Sequence, residues 1–363
     1  MKNVSFPGLG LEFSFDGNAI ENCFGIEGFD IKWYGVIITT GILLAFMLFY
    51  RLAVKREQLD PDSIFNVTLI VLPVAIIGAR FAYVVTKWDS FKGQGFLNMI
   101  NIRNGGIAIY GAIIFGLIAV LIYNKVKKQS SLAMLDALAP AVMLGQAIGR
   151  WGNFVNAEAY GWSDGVDKLP WRMVLDYYVI DGNKNPPEVT SVHPTFLYES
   201  LWNLLGLAII IFILYRKKKF NGEIFFAYMG WYGLGRAYIE TLRADSLYIV
   251  GNLKFSVFVG IVCVIAAIIG LIVLARRHKE EQLEMSEYKS AFESVRIKMS
   301  AQEDALSTDV FDTPASIGEE DDSDEIEETE DETDIPEDDA ETLAEQDLLD
   351  GDIEETENES EEK

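Results

Sequence analysis

The chain has 363 residues, half of them hydrophobic, and a formal net charge of −25 that is unevenly spread. Residues 280–363 hold 35 of the 55 acids and four of the 30 bases, so residues 1–279 carry a net charge of +6 and the acidic total describes the tail. Two cysteines (Cys23, Cys263) exclude a disulfide scaffold and a Cys-rich metal site, two histidines (His193, His278) argue against a His-based zinc centre, and the absence of a Walker loop or GxGxxG fingerprint argues against nucleotide chemistry.

The amino-terminal MKNVSFPGLG lacks the basic region and apolar core of a cleaved signal peptide. Beyond it, apolar runs of about 20 residues, the length that crosses a bilayer as a helix, recur. They predict an all-α polytopic membrane protein with seven transmembrane helices at 33–50, 66–86, 105–124, 132–149, 194–215, 223–242 and 254–275. The first and last are the clearest. The fourth is interrupted by Asp136, Pro140 and Gln146, the sixth by Arg236 and Glu240. Lys and Arg gather after spans 1, 3, 5 and 7 (Arg51, Lys55, Arg56; Lys125, Lys127, Lys128; RKKK at 216–219; Arg276, Arg277, Lys279). Cytoplasmic boundaries carry such an excess, so the amino terminus is expected outside, the carboxyl terminus in the cytoplasm, and residues 150–193 in an outer loop. Residues 1–279 are then the membrane domain. Residues 280–363, with EEDDSDEIEETEDETDIPEDD, are expected to be a disordered acidic cytoplasmic tail, too polar to offset the entropy of ordering.

Charged groups within spans are costly and face a bundle interior or a wet cavity, which makes each a site candidate. In GWYGLGRAYIETLR, Tyr232, Arg236, Glu240 and Arg243 fall at i, i+4, i+8 and i+11, on one helical stripe. Arg236 and Glu240 are either an i,i+4 ion pair that only steadies the helix or part of a net positive pocket for an anionic headgroup. Gly230, Gly233 and Gly235 on the same helix permit close approach, by a partner helix or by a ligand.

A second set is GRWGNFVNAEAYG at 149–161, with Arg150 and Asn153 one turn apart and Asn156 and Glu158 beyond. It reads equally as a site or as an interfacial helix end with Trp151 in the aromatic belt and Arg150 snorkelling. Pro140 also permits a broken helix lining a cavity. Tyr34 in IKWYG reads as an aromatic anchor, Arg80 as a snorkelling side chain or a pocket residue, and Gly105, Gly106, Tyr110 and Gly111 as helix packing or site. His193, ahead of Pro194, reads as a loop residue more readily than as a proton carrier.

These segments resemble one family, the prolipoprotein diacylglyceryl transferases of bacterial inner membranes. GRWGNFVNAEAYG is similar to that family's signature at Gly149, Arg150, Gly152, Asn153, Phe154, Asn156, Glu158 and Gly161. WYG at 33–35, GGIAIYG at 105–111, HPTFLYE at 193–199 and GRAYIETLR at 235–243 resemble further blocks in the expected order, over roughly residues 30–275. The resemblance implies transfer of a diacylglyceryl group from phosphatidylglycerol to the thiol of the lipobox cysteine in a prolipoprotein signal peptide. A thioether forms and glycerol phosphate leaves. The residue types suit that chemistry: the leaving phosphate gains charge in the transition state, and paired guanidiniums bind phosphate oxygens bidentately.

By resemblance, Arg150 and Arg236 are expected to hold the headgroup and stabilise charge. Asn153, Glu158, Glu240 and Tyr34 are expected to be pocket residues, with Gly161, Tyr232 and Arg243 beside them. Tyr110 stands where some members have a histidine proposed as base. A tyrosine, with pKa about 10, is a poor base at neutral pH, which leaves Tyr110, Glu240, Glu158 or plain electrostatic activation of the thiol. The resemblance implies no cofactor and no metal. The partners are phosphatidylglycerol, prolipoprotein signal peptides and the bilayer, with no nucleic acid. The location is the bacterial cytoplasmic (inner) membrane, with the site toward its outer face. The alternative is a non-enzymatic transporter or binder of anionic lipid using the same arginines, against which stands the lack of a repeated half.

Overall fold

The computed structural model describes residues 2–309, apart from 103–104, 164, 176–177, 181–182, 186–189, 245–247 and 251–252. Each predicted span is a helix: α1 (Trp33–Lys55), α2 (Pro61–Thr86), α3 (Ile109–Val126), α4 (Ser131–Val155), α5 (Thr195–Lys217, with a π turn at Ile210–Leu214), α6 (Glu223–Leu242) and α7 (Phe255–Asp309). Local chemistry sets their starts. Asp60 caps α2, accepting from the Ser63 amide at 2.9 Å with Pro61 at the first helical position, and Ser130 caps α4 through the Ala133 amide at 3.3 Å. The Ser63 hydroxyl and amide hold the Asp60 carboxyl below its ordinary range.

Among the described residues, six helices are long and apolar enough to cross a membrane, and their outward faces are rows of exposed Leu, Ile and Phe. The protein is an all-α polytopic membrane protein. The helix outside the six is α6, which has the length but carries Arg236 and Glu240. α4 lies at the centre, over half of its apolar stretch buried. Met134 and Met143 of α4 meet Phe49, Ile64, Tyr215 and Ile224 from α1, α2, α5 and α6 in the main core. The break allowed by Pro140 does not occur, since α4 runs through it without interruption. Glycines bring helices together. A Cβ on Gly233 would lie 2.5 Å from the Gly260 carbonyl oxygen, so α6 and α7 cross backbone to backbone there, and Gly111 meets Gly78 in the same way. The glycines of α6 therefore serve partner helices.

At one end of the bundle, Asp136 at the start of α4 is fully buried and accepts from the amides of Gly222 (2.7 Å) and Phe225 (2.8 Å), fixing the first turn of α6. Lys218, after α5, pairs with Asp136 at 2.8 Å and with Glu57 after α1. Burial pushes the Glu57 carboxyl up.

At the other end is a small sheet that span prediction does not anticipate. Strands β1 (Lys2–Phe6), β2 (Leu11–Phe15), β3 (Met173–Leu175) and β4 (Thr190–Val192) are antiparallel in the order β2-β1-β3-β4, with Val4 opposite Leu175 and Met173 opposite Val192. Phe6, Phe13 and Phe15 pack around Phe154 of α4, which stacks on Phe196 of α5 at 4.6 Å. The chain divides into units 1–293 and 294–363. Residues 280–309, expected to be disordered, are helical as part of α7, and 310–363 lie outside the described residues.

Candidate functional site

Arg150 lies near the end of α4, Glu199 on the first turns of α5, Arg236 and Glu240 toward the end of α6, and Arg243 just beyond it. The bundle brings all five to one place. Arg150 Nη2 meets Glu199 Oε2 at 2.7 Å, Arg236 Nη1 lies 3.3 Å from the same oxygen, and Arg243 Nη1 lies 3.3 Å from Glu199 Oε1. Arg236 Nη2 pairs with Glu240 Oε2 at 2.9 Å, the i,i+4 pair read from the stripe. That ion pair is one contact of a larger arginine cluster. Among the described residues, three guanidiniums face two carboxylates in a largely buried cluster. The Arg236 Nε–H is also buried, with no hydrogen-bond partner among the described residues.

The remaining predicted residues surround this cluster at different depths. Tyr232 lines a cavity of about 20 Å³ with Gln146, Arg150, Glu199 and Arg236. That is room for about one water. Gln146 also lines an apolar groove of about 390 Å³ between α1, α2, α3 and α4, walled by Ile42, Phe46, Val71 and Leu138. Tyr110 reaches the arginines indirectly: its hydroxyl lies 3.2 Å from Ser256 Oγ, which accepts from Arg236 Nη2 at 3.1 Å. Arg150 Nη1 donates to Asn153 Oδ1 at 3.3 Å, and Asn153 Nδ2 donates to Glu158 Oε1 at 3.0 Å, with Asn156 Nδ2 at 3.3 Å from the same oxygen. The turn that brings Glu158 back has left-handed backbone at Ala157 (φ 47°) and Ala159 (φ 58°), costly for residues bearing a Cβ.

Tyr34 packs its ring over Gly152, where a Cβ would lie 3.0 Å from the ring carbons. Gly161 bridges to Arg243 as an isolated antiparallel pair; its amide donates to the His193 carbonyl at 2.9 Å, and Trp162 N donates to the Leu242 carbonyl at 2.8 Å. No side chain fits at Gly161: a Cβ there would be 2.6 Å from His193 Cβ and 2.7 Å from the Leu242 oxygen. His193 is a loop residue with Nδ1 3.2 Å from Tyr198 Oη, and burial lowers its imidazole pKa. Arg80 does not snorkel. It is buried, and its guanidinium donates to the carbonyls of Asn98, Met99, Gly105 and Gly106 at 2.7–2.9 Å, holding the segment that leads into Tyr110.

Three residues of the site escape the motif reading. Glu199, the hub of the arginines, stands in the HPTFLYE block, but its partners come from other helices. Ser256 links Tyr110 to Arg236. Lys254 Nζ donates to the carbonyls of Glu240 (2.7 Å), Thr241 (3.3 Å) and Arg243 (2.9 Å), closing the end of α6 with a cation.

The profile of the family described as prolipoprotein diacylglyceryl transferase matches residues 21–273. A phosphatidylglycerol–prolipoprotein diacylglyceryl transferase of Finegoldia magna is 44% identical over 246 residues, which cover 68% of this chain and 92% of that protein. The enzyme of the same name from Lysinibacillus sphaericus is 43% identical over 247 residues (68% and 88%). That of Clostridioides difficile is 38% identical over 256 residues (70% and 96%).

Proposed function

The chain belongs to the prolipoprotein diacylglyceryl transferase family, and from that premise we propose that its chemistry runs at Arg150, Arg236 and Arg243. It is a bacterial multi-pass membrane enzyme that transfers the diacylglyceryl group of phosphatidylglycerol to a prolipoprotein, the first step of lipoprotein lipidation. The observation that carries the site is the convergence of three guanidiniums from two segments of the bundle on one buried carboxylate.

In the proposed reaction the sulfur of the lipobox cysteine attacks the glyceryl carbon, the carbon–oxygen bond to phosphate breaks, and glycerol phosphate leaves with the electron pair. Charge grows on the phosphate oxygens, where fixed guanidiniums in a low-dielectric site stabilise it most. A free thiol, with pKa about 8.5, is mostly protonated at neutral pH, and nearby guanidiniums favour its thiolate. Asn153 and Glu158 fix the Arg150 fork, Glu240 orients Arg236, and Tyr110 acts through Ser256. Tyr34, Tyr232 and Gly161 shape the pocket wall. The apolar groove that shares Gln146 with the arginine cavity supports acyl chains lying along α1 and α4.

Contacts between helix ends support seven crossings. Gly161 follows α4 and pairs with Arg243, which follows α6. If α5 crosses the membrane, α6 must cross back for the two to share a side, despite its charges. The Lys218–Asp136–Glu57 cluster lies at the opposite ends of α1, α4 and α5, the ends rich in Lys and Arg. We read that end as cytoplasmic, and the arginine cluster as facing the outer leaflet of the inner membrane. Residues 280–363 are then a cytoplasmic extension beyond the domain of 1–279, dispensable for transfer.

Detergent-solubilised protein with phosphatidylglycerol and a lipobox peptide tests the reading by mass spectrometry. The expected product is a diacylglyceryl thioether that Arg150→Ala fails to make. Folded wild-type protein that binds the lipid without product would favour a lipid carrier.

A further inference from the structure

The substrate of this site is anionic, yet the strongest ligand its arginines hold is a side chain of the protein. Glu199 is buried, and its two carboxylate oxygens take four guanidinium contacts: Arg150 Nη2 (2.7 Å) and Arg236 Nη1 (3.3 Å) at Oε2, Arg243 Nη1 (3.3 Å) and Arg236 Nη1 (3.4 Å) at Oε1. Carboxylate and phosphate present the same paired oxygens to an arginine fork. The cavity beside them, about 20 Å³, has no room for a phosphate with this carboxylate in place. A second observation points the same way. The buried Nε–H of Arg236 has no hydrogen-bond partner among the described residues, so a donor remains that neither carboxylate oxygen serves and a further phosphate oxygen would.

We infer that Glu199 is an internal counter-ion that holds the arginines between turnovers and is displaced by the headgroup phosphate. This rests on the headgroup site proposed above and adds a role in product release. Without Glu199, the carboxylate that the described residues still place against these arginines is Glu240, and the site becomes more positive. Such a site would bind the phosphate monoester product, which carries up to two negative charges, more tightly than the phosphodiester substrate. With Glu199 competing for the guanidiniums, every bound phosphate is weakened alike, and the monoester is expelled when the carboxylate returns. Binding that is weakened equally in ground and transition states raises KM without slowing chemistry, while faster release raises kcat. Glu240 keeps its separate contact with Arg236 at 2.9 Å, so the helix stays oriented while Glu199 moves.

The test is Glu199→Gln in the full chain, with kcat, KM for phosphatidylglycerol and the inhibition constant of added glycerol phosphate measured together. KM and the inhibition constant should each fall about tenfold, equivalent to about 1.4 kcal/mol, and kcat should fall with them. A Glu199 that only steadies the arginines would raise KM instead; a raised or unchanged KM and inhibition constant in folded Glu199→Gln overturns the proposal. If that variant loses its thermal unfolding transition, Glu199→Asp decides: it keeps the charge but is one methylene short, and its inhibition constant should drop partway. A wild-type or higher value there overturns the proposal equally. Absence of transfer by the wild type would instead defeat the headgroup reading on which this one stands.

Discussion

Gly161→Ala adds one methyl group at the seam between the signature loop and the end of α6. Its Cβ would stand 2.6 Å from His193 Cβ, 2.7 Å from the Leu242 oxygen and 3.1 Å from Thr195 Cγ2. Carbon contacts are comfortable at about 3.5–4.0 Å, so the backbones must part by about 1 Å. The seam is held by Gly161 N to the His193 carbonyl (2.9 Å), Trp162 N to the Leu242 carbonyl (2.8 Å) and Ala244 N to the Tyr160 carbonyl (3.3 Å), and Arg243 is the bridged residue itself. Overpacking of this kind costs about 1–3 kcal/mol, which lowers the melting temperature by several degrees. Its effect on transfer should be larger, because a shift of about 1 Å in a positioned group can cost about 100-fold in rate. Transfer by the purified variant, read by mass spectrometry beside its thermal unfolding, separates the two. Gly161→Ala working within about threefold of wild type would refute the claim that this seam sets Arg243.

Arg150→Lys should lose about 100-fold or more in kcat/KM although it keeps the charge, because an ammonium cannot span Glu199 Oε2 and Asn153 Oδ1 as the fork does; near-normal kinetics would argue against a geometric role. Asp136→Ala strands the amides of Gly222 and Phe225 and removes one carboxylate from Lys218, so it should cost about 3–5 kcal/mol in thermal or denaturant unfolding, while protein that remains folded transfers at the wild-type rate. His193 has a lowered pKa when folded, so its neutral form is favoured above the unfolded value of about 6.5. As pH falls through that value toward the folded one, the unfolded chain takes the proton first and stability is lost. His193→Gln should flatten that acid limb of the melting-temperature profile; an unchanged limb would assign it to other groups.

The helices are the legible part of this protein because each is a continuous local run of apolar residues, and the structure starts all seven within a few residues of where composition puts them. The stripe of Tyr232, Arg236, Glu240 and Arg243 was legible for the same reason, since helical periodicity alone puts those residues on one face. Glu199 was not, because one acid in LYES looks ordinary until α4 and α6 deliver their arginines to it. The sheet was hidden more deeply: Val4 pairs with Leu175, and three-residue strands such as Met173–Leu175 carry almost no signal without the partner. Arg80 shows a related limit, as its four acceptors are backbone carbonyls, which no residue type announces. Residues 280–309 misled through their charge. Their run of Glu, Gln, Leu, Met, Lys and Ala without Gly or Pro is a strong helix former, and residues 281–300 are helical while exposed.

The pairing of Val4 with Leu175 also imposes an order on biogenesis. Strand β1 is made before α1, and its partner β3 emerges only after α4, so four helices are synthesised before the sheet can close. Closing the sheet therefore waits on α4: Lys2 Nζ reaches the Asn156 carbonyl at 2.5 Å, just past the end of that helix, a contact between the two ends of a stretch that holds four helices.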